Sequence, residues 1–97
     1  MASSQDYLLF VLELLRNLSG ITYRKMMGEF ILYKDNVIFG GVYDNRFLVK
    51  KTKSNNGLKE QLPYEGGSMM YLVDSEDPDE IEQIVRNVIN DLSRGGK

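Results

Sequence analysis

The stretch from Ile21 to Lys50 constrains the fold more than any other part of the 97-residue chain, because two Asx pairs divide it into short apolar runs. Asp35-Asn36 and Asp44-Asn45 each suit a tight reversal, since both residue types tolerate positive φ and hydrogen-bond nearby backbone. From Gly28 the apolar period is two. Phe30 and Leu32 fall on one face and Ile31 and Tyr33 on the other, then Val37 to Tyr43 returns and Arg46 to Lys50 runs forward again. Connections this short make an antiparallel meander nearly obligatory. Strands apolar on both faces predict a sheet covered on at least part of each side. Gly40-Gly41, inside the second strand, predicts a bulge or bend, or the close approach of a helix, another backbone or a ligand.

Helices flank this meander. Leu8, Val11, Leu12, Leu15 and Leu18 recur at helical spacing, with Tyr7, Phe10 and Leu14 widening the stripe. Ser3 with Asp6 makes a capping-box-like start, Ser4 offers an alternative cap, and Gly20 suits a helix end, so a helix is predicted over residues 5–18. Residues 52–68 carry turn signals at Ser54-Asn55-Asn56-Gly57, a possible helical turn from Leu58 to Leu62, and a block at Pro63. Met69 to Val73 reads as a fourth strand paired with the third. A second helix opens on Asp77 as cap, Pro78 at its first position and Glu80 closing a capping box, and Gly95-Gly96 stop it. Its stripe of Ile81, Ile84, Val85, Val88, Ile89 and Leu92 predicts a helix lying on the sheet with one face wet. The expectation is an α+β fold, an antiparallel meander of about four or five strands packed with N-terminal and C-terminal helices.

Composition removes whole classes of chemistry. A chain of 97 residues suggests a single domain over residues 1–97, burying roughly 60 to 65% of its unfolded surface. It holds no histidine, hence no imidazole base and no histidine-containing metal site. It also holds no cysteine, which removes disulfides, thiolate chemistry and zinc fingers. The acidic run Asp74, Glu76, Asp77, Asp79, Glu80 and Glu82 fails as a calcium loop: registered from Asp74, the glycine position holds Asp79 and the bidentate glutamate position Val85. Gly40-Gly41 and Gly66-Gly67 lack the lysine and hydroxyl residue of a phosphate-cradling loop. No catalytic residue, metal ligand or cofactor is therefore assigned. The longest apolar run, Tyr7 to Leu12, is too short to cross a bilayer, and no basic region precedes it, so a cytoplasmic location without membrane contact is expected.

Charge is uneven. Residues 1–60 hold nine Lys/Arg against six Asp/Glu, and residues 61–97 hold three against eight, about +3 and −5. Two basic groups stand out. Arg24 and Lys25 open the meander, while Arg46, Lys50, Lys51 and Lys53 crowd its far end with Lys59 nearby. As solvated strand ends they would discourage edge pairing. As a patch they would meet phosphate or an acidic protein surface, with Tyr23, Tyr33 or Tyr43 available to stack.

Several of these residues also carry a family likeness. The ordered series Arg24-Lys25-Met26-Met27-Gly28, an apolar run, Phe39-Gly40, Asp44-Asn45-Arg46 into Phe47 to Lys50, and Pro63-Tyr64-Glu65 before Met69-Met70 resembles the N-terminal domain of the TfoX/Sxy competence regulators. The likeness spans about residues 20–92. It implies a secretion-chaperone-like α+β fold, no enzymatic activity, and a role in transcriptional regulation of DNA transformation through contact with another protein, a transcription regulator. The expectation is a stand-alone domain, without the C-terminal domain that the longer regulators carry; direct DNA contact through the basic end of the meander is the alternative reading, and a small enzyme the least favoured. Many members have an aromatic residue and a second glycine where this chain has Met27 and Glu29. A homodimer is compatible with the wide apolar stripes and a free meander edge.

Overall fold

Three successive two-residue reversals build the sheet. In the computed structural model, which describes residues 3–94, Asp35-Asn36 joins β2 (Glu29–Lys34) to β3 (Val37–Val42), and Asp44-Asn45 leads on to β4 (Phe47–Val49). All four Asx residues lie at positive φ, from 51° to 69°, the left-handed region that their short polar side chains tolerate. The third reversal, Met27-Gly28, has φ of 53° and 82° and joins β2 to a strand the periodicity did not reveal, β1 (Ile21–Met26). β1 escapes a periodicity search because its residues after Ile21 are exposed on both faces.

β5 (Glu60–Gln61) and β6 (Met70–Leu72) complete an antiparallel sheet of six strands, in the order β1-β2-β3-β4-β6-β5, against the four or five expected. The fourth predicted strand does pair with the third, Leu48 opposite Leu72 and Val49 opposite Tyr71. The helical turn expected from Leu58 to Leu62 is absent: Glu60 and Gln61 pair with Tyr71 and Met70, and the tight turn sits earlier, a 3-10 turn at Lys53–Asn55. Cross-strand pairing overrides local helical propensity there. Buried Asn55 anchors that turn, its amide donating to the Ile84 carbonyl at 3.0 Å while its side-chain oxygen accepts from Asn87 at 3.0 Å.

Both helices pack on one face. α1 (Gln5–Leu14) is capped by Ser4, whose hydroxyl accepts from the Tyr7 amide at 3.1 Å, and it ends earlier than predicted. Beyond Leu14 the chain tightens, with Arg16 N donating to Glu13 O and Leu18 N to Leu15 O, the i to i+3 pattern of a fraying last turn. Gly20, φ 74°, then reverses the chain. α2 (Pro78–Ser93) starts as predicted, Asp77 Oδ1 accepting from Asp79 N at 3.0 Å. Its capping box is relayed, however: Ser75 accepts from Asp77 N at 3.1 Å and donates to Glu80 at 2.7 Å. The glycine stop at Gly95-Gly96 lies outside the described residues.

Leu8, Val11 and Leu15 of the first helical segment and Ile81, Val85 and Val88 of α2 meet Phe30, Leu32, Phe39, Val42, Phe47 and Val49 in one core. Their burial is the main stabilising term, at roughly 1.5–3 kcal/mol for each large apolar side chain. The opposite face is covered only in part. Register aligns Ile31, Gly41, Leu48 and Leu72 in one row of opposite parity to the core rows. Leu48 in that row is fully buried yet stands apart from the main cluster. Gly40-Gly41 takes the structural role: pairing slips between Leu32 and Tyr33, and a Cβ on Gly40 would lie 2.2 Å from the Leu48 carbonyl oxygen.

Candidate functional site

The face away from the helices bears a groove whose shape begins with Gly41. A Cβ there would meet the Tyr43 ring at 2.7 Å, so the absent side chain lets Tyr43 lie across the strand. Tyr64 closes on Tyr43 with ring centroids 6.0 Å apart and planes at 56°. Gly67 helps by the same means, since a Cβ on it would stand 2.9 Å from the Tyr64 ring.

Arg46 brings the Pro63-Tyr64 segment to this place. Its Nε donates to the Tyr43 carbonyl at 3.2 Å, Nη1 to Gln61 Oε1 at 2.8 Å and the Leu62 carbonyl at 3.0 Å, and Nη2 to the Pro63 carbonyl at 3.2 Å. A planar fork of donors suits this stapling of a turn to a loop. Four of its N–H directions are therefore engaged inside the protein, and Arg46 holds the site rather than presenting charge to a partner.

The resulting cleft, about 380 Å³, is lined by Ile38, Tyr43, Tyr64, Met69 and Met70. Lys50 and Lys51 also line it and remain exposed. Ile38, Tyr64 and Met69 are large apolar side chains left open to solvent. Such clustering differs from the single exposed apolar residues found on any surface. Burial pushes the Tyr43 phenol above its ordinary value of 10.0, with Tyr64 and Glu29 adding to the effect, so it stays a neutral hydrogen-bonding group.

A second cavity of about 400 Å³ adjoins the first through Lys51 and is lined by Thr52, Lys53, Asn56 and Tyr71. Lys51 Nζ is 3.2 Å from Glu60 Oε1, an exposed pair that partly neutralises it. Lys50, Lys51 and Lys53 thus share one neighbourhood, as their closeness in sequence suggests. Arg24 and Lys25 do not join them. They sit on β1, three strand spacings from β4, about 14 Å at roughly 4.8 Å per strand. Of the tyrosines expected to stack, Tyr23 packs edge-on against Phe30 with centroids 5.9 Å apart, Tyr33 is half-buried, and Tyr43 lies beneath Tyr64.

Tyr64, Met69, Met70 and Ile38 escaped sequence reasoning as site residues. The available signal was the pair Pro63-Tyr64 followed by Gly66-Gly67, a rigid entry and a permissive exit around one aromatic. Among the described residues there is no group of three or more acidic side chains placed to hold a metal ion. No helix among them is long and apolar enough to cross a membrane. Fold and groove together define an α+β protein with an open apolar cleft on the sheet face opposite its helices. Neither a family model nor a curated protein matches the chain.

Proposed function

We propose that this protein is a non-enzymatic binding domain of the TfoX N-terminal kind, acting in transcriptional regulation by contact with another protein. The observation that carries the reading is the groove, where tyrosine and methionine side chains cluster in the open beside two lysines. Aromatic residues and methionine are enriched at the cores of protein interfaces, and methionine adapts its shape to whatever packs on it. Lys50 and Lys51 supply the charge that would orient an acidic partner surface over the apolar floor. Direct DNA contact has less to draw on. With Arg46 engaged internally, the basic end offers Lys50, Lys53 and the partly neutralised Lys51. So few phosphate contacts give weak affinity with only a shallow dependence on salt.

Fluorescence anisotropy of labelled duplex DNA, at low and at physiological salt, tests the choice. The expected result is no micromolar binding at either. Micromolar binding that weakens with salt and disappears in a Lys50→Glu, Lys51→Glu double variant would replace protein contact by DNA contact. A partner protein cross-linked through a photoreactive residue at position 64 should lose at least tenfold in affinity on Tyr64→Ala, with folding unchanged.

A further inference from the structure

The two edges of the sheet are unequal. β5 at one edge has two residues, whereas β1 at the other has six, contains no proline, and is exposed at every position after Ile21. Met26 faces Glu29 across a two-residue turn, and at the far end Asp35 N donates to Gly20 O at 2.9 Å. By the alternation of an antiparallel ladder, even-numbered residues of β1 bond to β2, and the backbone groups of Ile21, Tyr23 and Lys25 turn outward. Such a row of donors and acceptors, unpaired among the described residues, is a template for another strand.

Arg24 and Lys25 occupy the middle of this edge and project to opposite faces. Their neighbours across the ladder are Ile31 and Phe30, and among the described residues no carboxylate lies within ion-pair distance of either. Glu29, beside the turn, is engaged by the Ser3 hydroxyl at 2.6 Å and the Asp44 amide at 3.1 Å. These cations select among possible strands. A second copy pairing antiparallel about Arg24 would set Arg24 against Arg24 and Lys25 against Tyr23, bringing four cations together with no carboxylate between them. Like charges so placed are destabilising. An acidic strand would instead find a cation on each of its faces.

The tip of the same hairpin points the same way. Met27 has φ of 53° and is 96% exposed. It bears two costs at once, an L side chain in the left-handed region and an apolar side chain in water. Strained residues of this kind cluster where a surface is used.

We propose that β1 accepts an extended acidic segment of a partner protein as an added strand, with Arg24 and Lys25 pairing its carboxylates and Met27 covered where that segment runs past the hairpin tip. This surface is separate from the groove and does not depend on it.

The test uses the full chain, labelled with 15N, and two synthetic octapeptides of threonine and valine, one carrying two adjacent glutamates and the other two adjacent lysines. Expected with the acidic peptide are amide shifts and slowed hydrogen exchange at Ile21, Tyr23 and Lys25, with Met69 and Met70 unmoved. The lysine peptide should bind at least tenfold more weakly, and Arg24→Glu, Lys25→Glu should invert that preference. Arg24→Gln, Lys25→Gln provides a milder variant that should lower affinity for the acidic peptide without inversion. No β1 shifts at millimolar acidic peptide, or equal shifts with both peptides, would overturn the proposal. So would a sedimentation equilibrium series showing a dimer that Arg24→Glu abolishes, because a second copy would then occupy the edge.

Discussion

The rings of Tyr43 and Tyr64 meet with centroids 6.0 Å apart and planes inclined at 56°, joining the end of β3 to a loop twenty-one residues further on. One ring is buried and the other is 60% exposed, so the pair has a structural member and a presented one. Tyr64→Ala should therefore lower stability by only about 0.5–1.5 kcal/mol, the worth of an aromatic pair. Urea denaturation at constant m value checks this.

Arg46 should matter far more to the loop than its half-exposed position suggests. Arg46→Ala leaves the Leu62 and Pro63 carbonyls and the Gln61 side chain without their donor, while the Tyr43 carbonyl keeps the backbone amide of residue 46 at 3.0 Å. A loss of about 1.5–3 kcal/mol is expected, the range for hydrogen bonds to a charged group. Arg46→Lys should recover little, since one ammonium cannot reach the same four acceptors. Hydrogen exchange of Glu60 and Gln61 should accelerate first.

Gly40→Ala should be among the most damaging substitutions in the sheet. Its Cβ would stand 2.2 Å from the Leu48 carbonyl oxygen and 2.8 Å from Val49 Cα, and neither backbone atom can move without breaking the pairing. The expected cost is about 3 kcal/mol or more, read by thermal or chemical unfolding.

Asp91 gives the fold an acid-sensitive joint. Ser54 donates through its hydroxyl to Oδ1 at 2.7 Å and through its amide to Oδ2 at 2.9 Å, and these bonds hold the Asp91 carboxyl below its ordinary value of 3.8. Thr52 Oγ1, buried without a partner at hydrogen-bond distance among the described residues, adds to the effect from farther away. A carboxyl depressed in the folded state contributes stability that is complete above its unfolded value and is lost as pH falls through its folded one. Asp91→Asn should lower stability at neutral pH and flatten its decline below about pH 4. Unfolding midpoints measured between pH 2 and pH 7 for both proteins would show it.

Met27→Asn should stabilise the protein. Asparagine adopts φ near 53° more readily than methionine and removes an apolar side chain from water. A gain of about 0.5–1 kcal/mol is expected by chemical denaturation. A loss would mean that Met27 packs against something within the chain.

Much of the fold was legible because its signals are local. Asp35-Asn36 and Asp44-Asn45 fixed two reversals within a few residues of each other, and Asp77-Pro78 fixed the start of α2. The relayed capping box was not legible, because Ser75 enters it from outside the helix. β1 was hidden for a related reason: an edge strand exposed on both faces has no apolar alternation to read, and its turn uses Met27 where an Asx residue would have announced it. At the candidate site, closeness in sequence did place Lys50, Lys51 and Lys53 together. It could not foretell that Arg46 would turn inward.

The amino-acid sequence by itself determined the α+β class, the antiparallel sense of the meander and the apolar faces of both helices. Each follows from the period of apolar residues and from the short reach of a two-residue turn. Only the tertiary structure decided the groove, the fate of Arg46 and the separation of Arg24 and Lys25 from the other cations. These depend on pairings between residues far apart in the chain, such as Tyr43 with Tyr64 and Val49 with Tyr71. Local backbone preference carries no record of such pairings, which form when burial of the shared core brings distant segments together.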